Sequence, residues 1–499
     1  MSDIAEWTET EQSPAPSGDN HAKRWLILAV LGIAQLMVVL DATIVNIALP
    51  AAQRSLEFGD SDRQWIITAY ALAFGSLLLL GGRLSDLFGR RRTFIVGLIG
   101  FAVTSAIGGA AVNFEMLVAA RAGQGVFGAL LAPAALSLLT VTFTDPAERA
   151  KAFGIFGAVA GAGGAVGLLL GGALTEWVDW RWCLFVNLFF AAIALVGAVI
   201  LFAPHVATSD RPKLDIPGTI LVAISLFSIV FGFSKAESDG WSSGPTIAWL
   251  STGVVFMAAF IYWQTKSDHP LLPLRVVADR IRAGAYLAIF LSGIGMFAVF
   301  LFLTYYMQLI LGYTPIATGL AFMPMVAGIV TAATLSTAVF LPRFGPRILI
   351  PSGMVIAAIG LTILAQISVD STYAVHIMPG LIVTGLGMGT IFAPSMQGAT
   401  SGVRYEDAGV ASATVNTMQQ VGGSIGTALL STIAASASTK YLVGREMNPL
   451  TQAQAAVESY TTTFYWAAAI FVVGAVLTGL VIRSGLLPSA PEGELVLAH

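Results

Sequence analysis

Apolar positions along this chain gather into runs of about 20 residues instead of stripes with a helical or strand period. The runs fall at 25–49, 65–81, 93–112, 114–141, 152–174, 184–202, 217–233, 246–263, 283–311, 315–341, 348–367, 376–396, 408–433 and 464–482. About 20 apolar residues make a helix long enough to cross a bilayer. In lipid only helices and closed barrels satisfy their own backbone. The pattern therefore predicts fourteen spanning helices in an all-α integral membrane protein. Residues 1–20 carry Asp3, Glu6, Glu9, Glu11 and Asp19 among Ser and Pro, and read as part of a disordered tail, as does the stretch from Ser484.

Charge placement adds an orientation. With the first tail in the cytoplasm, eighteen of the 25 Lys and Arg residues fall in inner loops and tails, six in outer loops, and Arg121 inside a span. That bias fits an even number of spans with both termini cytoplasmic. Composition agrees: 56% of residues are hydrophobic and 11% charged, against roughly 25% charged in soluble domains. The net charge of −3 points to no particular partner, and no nucleic acid is expected. Cys183 is the only cysteine, which excludes an intrachain disulfide.

One carboxylate interrupts the first run. Asp41 lies in LDATIVNIALP, nine residues before Pro50, roughly 13 Å below the outer edge at 1.5 Å per residue. Arg121 is seven residues into the fourth run from the same edge, roughly 10 Å deep. An acid at a helix centre costs about 2.5–3.5 kcal/mol on insertion scales, so it is a functional hypothesis by default. A nearby cation favours the ionised form of a carboxylate and desolvation the protonated form. The pair is either a proton-coupling couple, sensitive to hydration and distance, or a static ion pair fixing two helices.

Other polar or glycine-rich features have bland readings beside sharp ones. The loop GGRLSDLFGRRRT holds Gly82, Asp86, Gly89, Arg90 and Arg91. Positive-inside anchoring accounts for the arginines, whereas Asp86 suggests an inner latch to one of them or to a helix N-terminus. In the fifth run, Gly157, Gly161, Gly164, Gly167, Gly171 and Gly172 share one helical face, suited to close packing or to a conformational role. Gln35, Asn46, Gln124, Tyr305, Tyr306, Gln308, Met323, Asn416, Gln419 and Gln420 are candidates for a mixed apolar and polar binding pocket. Helix–helix hydrogen bonding is the competing role for each. A weak internal repeat aligns Phe88-Gly89 and Arg91 with Phe344-Gly345 and Arg347, which suggests related halves. Neither a phosphate-binding loop nor metal-ligand spacing is evident. No catalytic residue, metal or cofactor is expected, and an enzyme is not.

These motifs, in this order, resemble those of the 14-span drug:proton antiporters of the major facilitator superfamily. LDATIVNIALP, GGRLSDLFGRRR, Arg121-Ala-Gly-Gln-Gly and the glycines of the fifth run carry the resemblance, with WRWCLFVN and QQVGGSIG in support. It departs at Leu168, where the antiporter motif has proline. The resemblance implies two six-helix halves plus two inserted helices: a cytoplasmic tail 1–24, bundles 25–203 and 283–483, linkers with the inserted pair 204–282, and a cytoplasmic tail 484–499. It implies Asp41 as proton site, Arg121 as its partner, and Asp86 with the basic loop as inner gate. The expected activity is proton-coupled efflux of drug-like or antibiotic amphiphiles from a bacterial cytoplasmic membrane, by a monomer working through alternating access. The alternatives are a dedicated exporter of one metabolite (a self-made antibiotic, an amino acid or a siderophore) and a non-transporting membrane sensor.

Overall fold

The computed structural model describes residues 18–59, 62–143, 145–202, 215–403 and 408–483; these contain helices and no strand. The first group is α1 (Gly18–Leu56), α2 (Arg63–Phe88), α3 (Arg90–Gly109), α4 (Phe114–Thr142), α5 (Pro146–Trp177) and α6 (Trp182–Leu201). The pair α7 (Ile216–Asp239) and α8 (Gly244–Gln264) follows, then a short α9 (Leu274–Ala278). The last group is α10 (Arg280–Tyr305), α11 (Pro315–Ala321), α12 (Met323–Leu335), α13 (Leu341–Phe344), α14 (Pro346–Leu364), α15 (Met378–Thr400), α16 (Ala408–Leu442) and α17 (Pro449–Val481). π-helical turns extend α10, join α12 to α13 and precede α15, so α11 to α13 run as one span. Among the described residues, 13 helices are long and apolar enough to cross a membrane. The 32-residue α5 is the fourteenth.

Three boundaries differ from the apolar pattern. Helix α1 already includes residues 18–24, placed above in the tail, and runs through Pro50 to Leu56. Proline lacks the N–H that would bond the Asn46 carbonyl, a loss that membrane helices tolerate. Helix α17 starts at Pro449, with the Asn448 side chain accepting from Thr451 N–H at 2.7 Å. Its first turns bury Ala455, Val457 and Tyr460 but expose Gln452 and Glu458, so a hydropathy run passes over them. The stretch 266–282 holds α9 as well as linker. The tail expected at 484–499 and residues 1–17 lie outside the described residues.

Within each group the helices cross at near-backbone distance where glycine permits it. A Cβ at Gly81 or Gly125 would collide with the Ala129 or Tyr70 carbonyl across the α2–α4 seam, and one at Gly422 with Phe290 across α10–α16. This is packing by small residues, which lipid-embedded helices use because lipid tails supply no hydrophobic drive between them. The glycines of QQVGGSIG serve that purpose.

The internal repeat has a geometric counterpart. Gly89 and Gly345 both take positive φ, 92° and 70°, at the breaks between α2 and α3 and between α13 and α14. Only glycine adopts that region without strain. Just beyond, Arg91 donates to the Val199 carbonyl at 2.9 Å, and Arg347 donates to the Gly479 carbonyl at 3.3 Å. Each matched arginine thus satisfies a carbonyl near the C-terminus of the last helix in its group.

The two groups are joined at the end opposite these basic residues. Tyr305 donates to Gln53 at 2.8 Å, Gln308 to the Ile47 carbonyl at 3.2 Å, and Ile316 N–H to Glu176 at 3.1 Å. Further down, α7 packs against both α2 and α16, where Val222, Leu226 and Val230 cluster with Leu72, Leu79, Val421 and Ile425. Asp215, just ahead of α7, fixes the inserted pair. It accepts from Gly218 N–H, Trp263 Nε1, Gln264 Nε2 and Leu271 N–H at 2.7–3.2 Å. Burial alone would raise its carboxyl, but these four donors outweigh it and hold the group below the usual carboxylate range. Arg83 reaches the same linker through the Pro270 carbonyl at 3.0 Å.

Candidate functional site

Asp41 and Arg121 meet as their depths predict. Helix α4 is set by its Asn113 cap, whose side chain accepts from Met116 N–H at 2.9 Å; two turns later Arg121 points into the bundle. Its Nη1 donates to Asp41 Oδ2 at 2.6 Å, with the side chains 2% and 0% exposed. Nε donates to the Ile66 carbonyl at 3.2 Å, and the guanidinium lies 4.4 Å from the centroid of the Tyr70 ring. The cation is thereby held by an ion pair, a carbonyl and an aromatic face.

The pair belongs to a larger network. Gln124, one turn after Arg121, accepts from Arg121 Nη1 at 2.8 Å through Oε1. Its Nε2 donates to Asp41 Oδ1 at 2.8 Å and to Ser105 Oγ at 2.7 Å. Asn187 Nδ2 donates to the same Asp41 Oδ1 at 2.6 Å and lies 3.3 Å from Ser105 Oγ. Asp41, Gln124, Ser105 and Asn187 are all fully buried. The carboxylate thus holds three donors from α4 and α6, with α3 tied in through Ser105. Such saturation offsets the desolvation that makes buried ion pairs costly.

Asn187 and Ser105 were absent from the expected site. A signal for both was present: Asn187 is five residues beyond the start of α6 and Ser105 four before the end of α3. Both are then roughly 6–8 Å from the same membrane face by helix rise, close to the depth of Arg121. Gln124, a binding-pocket candidate, bonds through its amide to Arg121, Asp41 and Ser105.

The glycines of α5 divide between neighbours. Gly167 and Gly171, with Gly163, press on α1: an added Cβ would meet Thr43, Ile44 and Val39 respectively. Gly172 faces the Ile316 backbone of α11, while Gly164 faces open space. The glycine face thus meets two neighbours, α1 on one side and α11 on the other. Leu168 is fully buried, and its carbonyl sits against Gly319. The surroundings of Gly157 and Gly161 and the side chain of Asp86 lie outside the described residues. In the loop expected to form the inner gate, a Cβ added at Gly82 would make ordinary contact with Pro133, Gly89 breaks the helix, Arg90 is half-buried, and Arg91 is engaged with α6.

The remaining pocket candidates scatter. Tyr305 and Gln308 bridge the two groups, and the Arg63 guanidinium covers the Tyr305 ring at 4.0 Å. Tyr306 donates to the Ser368 carbonyl at 2.6 Å and packs on Tyr460, inside the last group. Asn46 bonds back to the Ala42 carbonyl at 3.2 Å. Gln35, Met323, Asn416, Gln419 and Gln420 are half-buried. Gln420 faces Gly75 across the α2–α16 seam.

Comparison with known proteins fits this geometry. The Major Facilitator Superfamily description matches residues 31–427. The chain is 48% identical over 464 residues to a puromycin resistance protein of Streptomyces alboniger, covering 93% of this chain and 92% of that one. It is 36% identical over 408 residues to a cephamycin export protein of Amycolatopsis lactamdurans, covering 81% and 84%. Its fold is similar to that of a bacterial homologue of the human lysosomal transporter Spinster in an inward-facing, unoccupied conformation, with TM-score 0.63, 17% identity and coverage of 92% and 97%. A carboxylate network inside a fourteen-helix membrane fold, and sequence relatives along nearly its whole length, place this chain in the Major Facilitator Superfamily.

Proposed function

We propose that this protein exports an antibiotic-like amphiphile across the cytoplasmic membrane in exchange for protons, with Asp41 as the proton site. The observation that carries the reading is the fully buried carboxylate held by Arg121, Gln124 and Asn187. A proton arriving at Asp41 removes the charge that pairs with Arg121 and that strengthens the bonds from Gln124 and Asn187. Arg121 then loses its counter-ion, and the helices that the carboxylate ties together are released to rearrange. With the basic loops inside, the contacts of Tyr305, Gln308 and Glu176 close the outer end. Alternating access requires those contacts to part and the loop of Gly82, Asp86, Gly89, Arg90 and Arg91 to close. The glycines of α5 touch both α1 and α11, so they would transmit motion between the proton site and the outer seal.

Relatives named for resistance to puromycin and export of cephamycin support efflux of this substrate class. They also favour a narrower reading, a dedicated exporter of one antibiotic, since each is named for a single compound. Puromycin is the first compound to offer, beside neutral and monocationic amphiphiles. In proteoliposomes, each transported compound should release protons in the parent protein and not in Asp41→Asn. Equal proton release by the two proteins would remove Asp41 from the mechanism. Susceptibility of a deletion strain separates broad from dedicated export: sensitivity to many compounds supports the first, to one the second.

A further inference from the structure

Asp41 Oδ1 accepts two amide donors, from Gln124 and Asn187, while Oδ2 takes Arg121. An ionised carboxylate only accepts, whereas a carboxylic acid must also donate its O–H. A proton placed on Oδ1 therefore needs an acceptor where two donors now point. Arg121 has none to offer. Gln124 Oε1 is engaged by Arg121 Nη1 at 2.8 Å, and Ser105 Oγ already receives both amides. Asn187 Oδ1 is different: it is buried and has no hydrogen-bond partner among the described residues. A buried, unsatisfied amide oxygen is costly and calls for an explanation.

We propose that Asn187 is a positioning residue that partners Asp41 in both protonation states. Its Nδ2–H donates to the carboxylate, and its amide turns over so that Oδ1 accepts from the protonated acid. The proposal rests on the proton-exchange reading above. The proton comes from solution and returns to it, and no other bond is made or broken covalently. Turning the amide withdraws Nδ2 from Ser105 Oγ, so the protonation of α1 is registered as a loosening of α6 from α3. The other titratable or charged groups facing Asp41 are Arg121 from α4, Tyr70 from α2 and Cys183 from α6. Helix α3 presents Ser105 and α5 its glycines. Tyr70 also carries a buried hydroxyl without a hydrogen-bond partner among the described residues, but its ring lies against Arg121, whereas Asn187 already touches Asp41 Oδ1.

Infrared difference spectra of the full-length protein in liposomes, recorded on stepping the pH down, test this directly. The carboxylic acid band that Asp41→Asn removes reports the protonated site. In the parent it should lie at the lower frequency of a hydrogen-bonded acid. It should shift upward in Asn187→Leu, which has similar bulk and no acceptor, and return toward the parent position in Asn187→Ser, whose hydroxyl accepts. In parent protein carrying isotope-labelled asparagine, a side-chain carbonyl band lost in Asn187→Leu should shift over the same pH range. The pH shift itself is read in the parent protein, and the variant serves only to assign the band. An Asp41 band at the same frequency in parent and Asn187→Leu, with a pH-invariant labelled amide, would overturn the role of Asn187 while leaving proton exchange intact. The absence of any Asp41-dependent band over the working pH range would overturn both.

Discussion

The first and last helix groups share a scaffold and differ in what they bury. Both break at a positive-φ glycine near the basic end, Gly89 and Gly345, and both fasten their last helix with the matched arginines Arg91 and Arg347. Yet the buried charged side chains among the described residues are Asp41, Arg121 and Asp215, none of them in the last group. The last group's buried side chains are aromatic, aliphatic or neutral polar, and the π-helical turns fall there. One of those turns carries Gln308 to the Ile47 carbonyl of α1. A common frame thus carries a buried ion pair on one side and, among the described residues, an uncharged interior on the other. Charge is costly to desolvate, and concentrating it in one pre-paired network limits that cost to one place.

The sharpest test of this contrast is Arg121→Ala against Gln419→Ala. Removing Arg121 strands a buried carboxylate, for which about 3–5 kcal/mol is expected; a half-buried neutral side chain should cost about 1 kcal/mol. Thermal unfolding in detergent measures both. The double variant Asp41→Asn with Arg121→Ala should recover part of the loss, because no unpaired charge remains. Equal losses for Arg121→Ala and Gln419→Ala would mean that the first group is not special in the way described.

A smaller effect is expected at the glycine face of α5. Gly167→Val drives side-chain atoms into Thr43 of α1 and should destabilise by about 1–3 kcal/mol. Gly164→Ala enters open space and should stay within about 0.5 kcal/mol of the parent. Matching melting temperatures for the two variants would argue that α5 does not bear on α1 as closely as its glycines indicate.

Asp215 sharpens the comparison from outside both groups. Its folded carboxyl is held below the ordinary value, so its contribution is fully present above about pH 4 and is lost as the pH falls through the lowered folded value. Asp215→Asn keeps a capping side chain and should cost about 1 kcal/mol at neutral pH. Its stability should fall less than the parent's on acidification below about pH 4. Parallel acid profiles would show that this carboxylate is not what pins the inserted helices.

Much of the site could be read from residues in order. Asp41 and Arg121 are matched in depth because helix rise is constant, so counting from a common membrane face locates both. The same count reaches Asn187 and Ser105, but a neutral polar residue in a membrane helix has many packing roles and does not announce a partner. The glycine face of α5 was legible as a face and not as two interfaces. Tyr306 illustrates the limit: it adjoins Tyr305 in sequence, yet one hydroxyl bridges the groups and the other turns into the last group's core.

Taken alone, the sequence determined the class of fold, the fourteen apolar segments, the depth of the charged pair and the weak repeat that aligns Gly89 with Gly345. These depend on quantities local to the chain, hydropathy, helix rise and residue order, whereas the positive φ at both glycines is seen only in the structure. Which helices touch, and through which faces, was decided only by the tertiary structure. In lipid, helices are apolar around most of their circumference, so no hydrophobic stripe records their rotation. The convergence of α3, α4 and α6 on Asp41, and the unpartnered amide oxygen of Asn187, follow from that packing.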